Sequence, residues 1–144
     1  MAEIITYGIP KIVPKWDVDG AANFFADYLL KNKSKNIYVE IFMIKKKDLW
    51  GDCIPLQSGK KPKEFKISIN PSLSYKNTIM TLAHEMVHVK QYHTGELFWT
   101  GYSYNFHGNH YYEEDDYWEN PDEIECMGRE YGLYLKWLSY NKKD

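Results

Sequence analysis

The sequence predicts an α+β domain in which a central helix packs on a small, mostly antiparallel sheet, with further helices at its flanks. Three observations predict it. Residues 74–93 carry Ile79, Leu82, Met86 and Val89 at 3-4-3 spacing, the stripe of a core-facing helix. Residues 36–44, 49–56 and 64–70 are short runs with β-branched, aromatic or alternating apolar character. Helical patterns stand before and after these runs, and the order helix, strands, helix, hairpin, helix belongs to an α+β arrangement.

The elements follow in order. Residues 1–16 hold Pro10 and Pro14 and are expected to be extended. Residues 17–33 read as a helix, capped by Asp17 or Asp19, with Phe24, Phe25, Tyr28 and Leu29 as its apolar spacing. Strands follow at 36–44 (NIYVEIFMI) and 49–56. Residues 57–63 are a turn marked by Gly59 and Pro62. In 64–70, Phe65, Ile67 and Ile69 alternate with Glu64, Lys66 and Ser68, which predicts a half-buried strand at a sheet edge. Gly95 stops the central helix. Residues 97–112 predict a hairpin or irregular loop, and 113–119 a solvated acidic run. Asn120-Pro121 opens the last helix, Asn as cap and Pro at the first position. That helix is expected to run to about Tyr140 and to bury Ile124, Gly128, Tyr131, Leu135 and Leu138.

Composition narrows the function. The 144 residues fit one domain, 1–144, and 13 Tyr and 5 Trp supply much of an ample core. The formal net charge of −2 offers no basic field for nucleic acid, so none is expected as a partner. No apolar run approaches the roughly 18 residues of a membrane span, so no membrane partner is expected. Residues 1–16 lack the long apolar run of a signal peptide. Cys53 and Cys126 are then expected to be reduced thiols in a cytoplasmic protein, the host cytoplasm if phage-encoded. A monomer is expected.

Residues 84–88 read His-Glu-Met-Val-His. Positions i and i+4 share one helix face, so His84 and His88 can present two imidazoles to one zinc ion. Glu85 is rotated about 100° from His84 and can reach a water on that ion, which makes it the candidate catalytic base. Two solvated histidines on a surface helix would be the plainer reading. Met80 and Val87 argue against it, because they make this helix apolar on the histidine side as well. A helix apolar on two sides is buried, and buried histidines need partners.

A catalytic zinc has three protein ligands and an open position. Glu123, Glu125, His107 and His110 are the candidates for the third. Glu123 could instead be a capping-box residue, and Glu125 a first-turn acid favoured by the helix dipole. Both flank the expected apolar stripe at similar angles, so periodicity does not separate them.

The run His84-Glu85-Met86-Val87-His88, then Val89-Lys90-Gln91-Tyr92, Gly95-Glu96-Leu97 and Tyr117-Trp118-x-x-Pro121-x-Glu123-Ile124-Glu125-x-x-Gly128-Arg129-Glu130, resembles small phage-type zinc metallopeptidases. The resemblance covers about residues 78–137. It implies a compact zincin-like fold of the gluzincin kind, in which a Glu on a later helix completes the site in a Glu-x-x-Ala pattern. Carried over, Glu123 is the third ligand and Cys126 stands at the Ala position. Asp122, where such sequences have an aromatic residue, and Cys126 both depart from the pattern. The segment His107-Gly108-x-x-Tyr111 is similar instead to the His-Gly-x-x-aromatic element of SprT-like zinc proteases, which implies His107 as third ligand.

The expected function is a Zn2+-dependent hydrolase acting on a peptide or protein substrate. One of Tyr102, Tyr104, His107, His110, Tyr111, Tyr112 and Tyr117 is expected to face the oxyanion. Arg129 is placed to pair with Glu125 at i+4. If 64–70 is an open edge, an extended peptide could add to it. Two other functions compete. One is a non-catalytic module that keeps the fold and binds a host or virion protein through residues 97–112; an intact Glu85 disfavours it. The other is a SprT-like protease acting on DNA-bound proteins, disfavoured by the acidic balance.

Overall fold

The computed structural model describes residues 1–46, 48–112 and 117–142. Most of the acidic run, residues 113–116, and Lys47 of the lysine cluster at 45–47 lie outside the described residues. The described chain is α+β, with two small sheets and three α-helices. None of its helices is long and apolar enough to cross a membrane.

Strand β1 (Glu3–Tyr7) leads through α1 (Lys15–Leu30) and a 3-10 segment (Lys31–Asn36) to β2 (Tyr38–Met43). Strand β3 (Gly51–Pro55) precedes β4 (Glu64–Ile69), and α2 (Tyr75–His93) follows. The four strands stand in the order β1-β2-β4-β3. Strands β1 and β2 pair in parallel, as do β2 and β4; only β3 and β4 are antiparallel. The expectation of a mostly antiparallel sheet is therefore corrected: this sheet is mixed. The reason is α1. A helix between two neighbouring strands returns the chain to the same end, and the pairing is then parallel.

Strand β4 is not an edge. It lies between β2 and β3, with Phe65, Ile67, Ser68 and Ile69 buried. Its alternation reports an open sheet face rather than an open edge: Lys66 lies on that face, with Nζ 4.8 Å from the Phe42 ring centroid. The edge strand beside α2 is β3.

Helices α1 and α2 supply the core on the other face. Val18, Ala22 and Phe25 from α1, and Ile79, Leu82, Met86 and Val89 from α2, are buried with Val39, Ile41, Phe65, Ile67 and Ile69. Each large aliphatic or Phe side chain so buried contributes about 1.5–3 kcal/mol. Helix α1 begins earlier than expected, at Lys15, and neither Asp17 nor Asp19 caps it. Asp17 accepts from the Tyr75 hydroxyl and Asp19 from Thr6. Ser74 caps α2 by accepting from Asn77 N–H at 3.2 Å, and Gly95 takes φ +83° just beyond its end.

The hairpin expected in 97–112 is a three-stranded antiparallel sheet, β5 (Leu97–Trp99), β6 (Tyr104–Phe106) and β7 (Asn109–Tyr111). His107 and Gly108 form its last turn, with φ +50° and +87°, the left-handed pair that a two-residue hairpin turn requires.

Helix α3 (Pro121–Asn141) is rotated from its expected register. Ile124, Tyr131 and Leu135 are 55%, 50% and 45% exposed. The buried face is Glu123, Cys126, Leu133 and Trp137, with Asp122 beside it. Trp137 reaches the α1 backbone so closely that a Cβ on Gly20 would lie 3.1 Å from its ring, and its indole N–H donates to Tyr75 Oη at 2.9 Å. The indole and the site partners of the two acids outweigh an aliphatic stripe of ordinary spacing.

Candidate metal centre

Helix α2 presents His84 and His88 on one face, ring centroids 5.3 Å apart. The first turn of α3 crosses that face and sets Glu123 between them. One Glu123 oxygen is 2.8 Å from His84 Nε2 and the other 2.9 Å from His88 Nε2. Cys126, one turn further along α3, completes a group whose ligand atoms all lie within 4.8 Å of one another.

These residues fit a zinc ion. Metal–ligand bonds of 2.0–2.1 Å in tetrahedral array put N and O ligand atoms roughly 3.3 Å apart, so a small spreading of the present contacts admits the ion. The far nitrogens of both rings are already held. His84 Nδ1–H donates to Glu130 at 3.0 Å, and His88 Nδ1–H donates to Gln91 Oε1 at 2.9 Å. The Gln91 amide donates in turn to the Asp122 carbonyl at 3.0 Å and to Glu125 at 2.8 Å, which fixes its oxygen toward the histidine. Such outer partners set the tautomer that leaves Nε2 for a metal.

In the metal-free chain the electrostatics are those of a buried ion cluster. Burial disfavours charge on His84, but its bonds to Glu123 and Glu130 outweigh this and raise it to about 10. His88 is raised too, burial being overcome by Glu123. Burial would raise Glu123, yet hydrogen bonds from the two histidines hold it down at about 2. Burial, with Glu123 and Glu85 nearby, pushes the Cys126 thiol up.

Glu85 is 6% exposed and faces a cleft of about 350 Å³ walled by β3, α2, the second sheet and the start of α3. Burial pushes its carboxyl up to about 7, against the pull of His88 and His84. Strand β3 comes so close here that a Cβ on Gly51 would lie 2.6 Å from Thr81 Cγ2, 2.9 Å from the Ser68 carbonyl and 3.5 Å from Glu85 Oε2. Tyr92, Tyr104, Tyr111 and Tyr117 also line the cleft. Tyr111 donates to Asp122, and Tyr117 bonds to Glu123. Tyr102 and Tyr112 are exposed and away from it.

The structure separates the third-ligand candidates. Glu125 is drawn into another network, bonded to Gln91, to Lys90 at 3.2 Å and to Arg129 at 3.3 Å, the i+4 pair expected. His107 sits in a hairpin turn and pairs with Glu96 at 2.8 Å. His110 contacts Ser103 and Asn105. Of the four candidates, Glu123 alone reaches both His84 and His88, and its carboxylate is spent on them rather than on a capping box. Sequence reasoning missed Gln91, Glu130 and Gly51 as parts of the site. Their signals were present: Gln91 stands three residues after His88, Glu130 seven after Glu123, and Gly51 interrupts a strand.

Comparison of the chain with protein-family models, with curated proteins and with solved structures finds no match in any of the three. The centre is therefore interpreted from its own geometry.

Proposed function

We propose that this chain is a zinc-dependent peptidase of zincin-like architecture, with the metal held by His84, His88 and Glu123. The observation that supports it best is the place of Glu85: one residue from a candidate ligand, nearly buried, and open to a cleft large enough for a peptide segment. A site built only to hold a metal has no use for a carboxylate there. Bound zinc would supply a Lewis acid for the scissile carbonyl and a water acidified to near pH 7. With the metal bound, Glu85 would accept a proton from the attacking water and pass it to the leaving amine. Tyr117, which lines the cleft and bonds Glu123 in the metal-free chain, is the donor that would turn to the oxyanion once Glu123 holds the metal. Strand β3 is one of the two edges of its sheet, and its residues Gly51, Asp52 and Cys53 line the cleft, so an extended peptide adds to β3 rather than to β4.

Glu85→Gln tests this. The variant is expected to bind zinc as the native chain does and to lose peptide hydrolysis by roughly 10²–10⁴-fold. Full hydrolysis by zinc-loaded Glu85→Gln would falsify the mechanism, and absence of hydrolysis in the zinc forms of both the native chain and Cys126→Ala would leave the interaction module as the better description.

A further inference from the structure

The proposed centre has three protein ligands, and three are what an open catalytic zinc needs. The structure gathers a fourth. Glu123 and Cys126 are separated by one turn of α3 and share its buried face, so the helix that delivers the carboxylate delivers the sulfur with it. His84 Nε2, His88 Nε2, a Glu123 oxygen and Cys126 Sγ converge within 4.8 Å. The two histidines are independently pre-set for a metal, since Glu130 and Gln91 hold both Nδ1 atoms.

The sides from which these groups approach differ. Glu85, His88 and Glu123 line the cleft; Cys126 is fully buried and does not. Sulfur therefore meets the centre from within the protein, while water and substrate meet it from the cleft. Neither cysteine is in a disulfide.

We propose that Cys126 is a fourth protein ligand, so that the resting metal is enclosed by two imidazoles, a carboxylate and a thiolate. This rests on the metal centre proposed above and changes what that centre does at rest. Four protein ligands fill a tetrahedral zinc, as in structural sites. The thiolate also offsets the second positive charge left after Glu123, which weakens the metal as a Lewis acid. It favours zinc or cadmium over magnesium or manganese. Hydrolysis then requires Cys126 to yield its place, or the metal to accept a further ligand from the cleft. Removing the sulfur opens the centre while loosening its hold.

Cobalt(II) titration of the full-length metal-free chain, followed by optical absorption, tests this. The native chain is expected to bind cobalt with the visible bands of four-coordination and an intense near-ultraviolet sulfur-to-cobalt band. The chain has 2 cysteines, so a band retained in Cys53→Ala belongs to Cys126. That comparison does not depend on a Cys126 variant folding. Cys126→Ala, where folded, is expected to keep the cobalt visible bands, lose the sulfur band, and bind zinc about tenfold or more weakly. Its zinc form is expected to hydrolyse peptides faster than the native chain. Cobalt bound by the native chain with no sulfur band overturns the fourth ligand and leaves the three-ligand centre standing. A sulfur band lost in Cys53→Ala overturns it as well. No cobalt bound at all overturns the centre itself, and the fourth ligand with it.

Discussion

His88 and Gln91 stand three residues apart on α2, and the imidazole donates from Nδ1 to the Gln91 side-chain oxygen at 2.9 Å. Gln91 is fully buried, and both protons of its amide nitrogen are engaged on α3, so the oxygen has one orientation. Gln91→Leu keeps the volume and removes the acceptor. Zinc affinity is expected to fall 10–100-fold, read by competition with a chromophoric chelator, and Gln91→Glu, which sets a carboxylate oxygen against the Asp122 carbonyl and Glu125 in place of the amide donor, is not expected to recover it. Equal affinity in Gln91→Leu would show that the bond does not position the ring.

Proton uptake and release give a second test. Burial opposes charge on His84 and His88, but their carboxylate partners raise both, His84 to about 10. At neutral pH the His84 ring thus carries the Nε2 proton whose place a metal takes, and the His88 ring is shifted in the same direction. Zinc binding is expected to release protons, from the histidine rings and, with Cys126 as a ligand, from its thiol, and to tighten as pH rises. Calorimetric titration in two buffers of different ionisation enthalpy reads this; equal heats in both would contradict it.

The same groups set the stability of the metal-free chain against pH. A histidine raised from 6.5 to about 10 stabilises the fold fully below 6.5, and that contribution is lost as pH climbs through about 10. Glu123, lowered from 4.5 to about 2, contributes above 4.5 and loses its effect as pH falls through about 2. Thermal melts of zinc-free protein are expected to show Tm declining from pH 7 toward pH 10, and zinc is expected to remove that decline. A Tm that rises over this range without zinc would contradict the charged pair.

Gly51 tests the approach of β3 to α2. A methyl group there meets Thr81 at 2.6 Å and the Ser68 carbonyl at 2.9 Å, and the carbonyl belongs to the neighbouring strand and cannot turn aside. Gly51→Ala is expected to cost about 1–3 kcal/mol in denaturant unfolding and to lower hydrolysis by shifting the strand that borders Glu85. Unchanged stability would mean the two elements do not press together.

The register of α3 is open to a paired comparison. Leu133→Ala is expected to cost about 2–5 kcal/mol, whereas Leu135→Glu, two residues away on the exposed side, is expected to stay within about 0.5 kcal/mol. The reverse order would restore the face expected from sequence.

Much of this was legible before the structure. The α2 stripe at Ile79, Leu82, Met86 and Val89 has one interpretation, and Met80 and Val87 on the other side placed His84 and His88 against buried surroundings. The signal for β1 was present in Ile4, Ile5, Thr6 and Tyr7, four β-branched or aromatic residues in a row, but it is short and followed by Pro10 and Pro14, and without β1 the crossover through α1 is invisible. Helix α3 misled for a different reason. Ile124, Tyr131 and Leu135 outscore a face that begins with Asp122, Glu123 and Cys126, and only the histidines across the interface make those groups tolerable inside. Glu123, Cys126, Glu130, Leu133 and Trp137 do follow 3-4-3-4 spacing, so the face that selects Glu123 over Glu125 was present but not apolar enough to stand out.

The most direct measurement is a crystal structure of the zinc-loaded chain with anomalous data on either side of the zinc absorption edge. One peak is expected about 2.0–2.2 Å from His84 Nε2, His88 Nε2 and a Glu123 oxygen. A peak at other residues, or none beside these three in protein that retains zinc in solution, would contradict the metal centre.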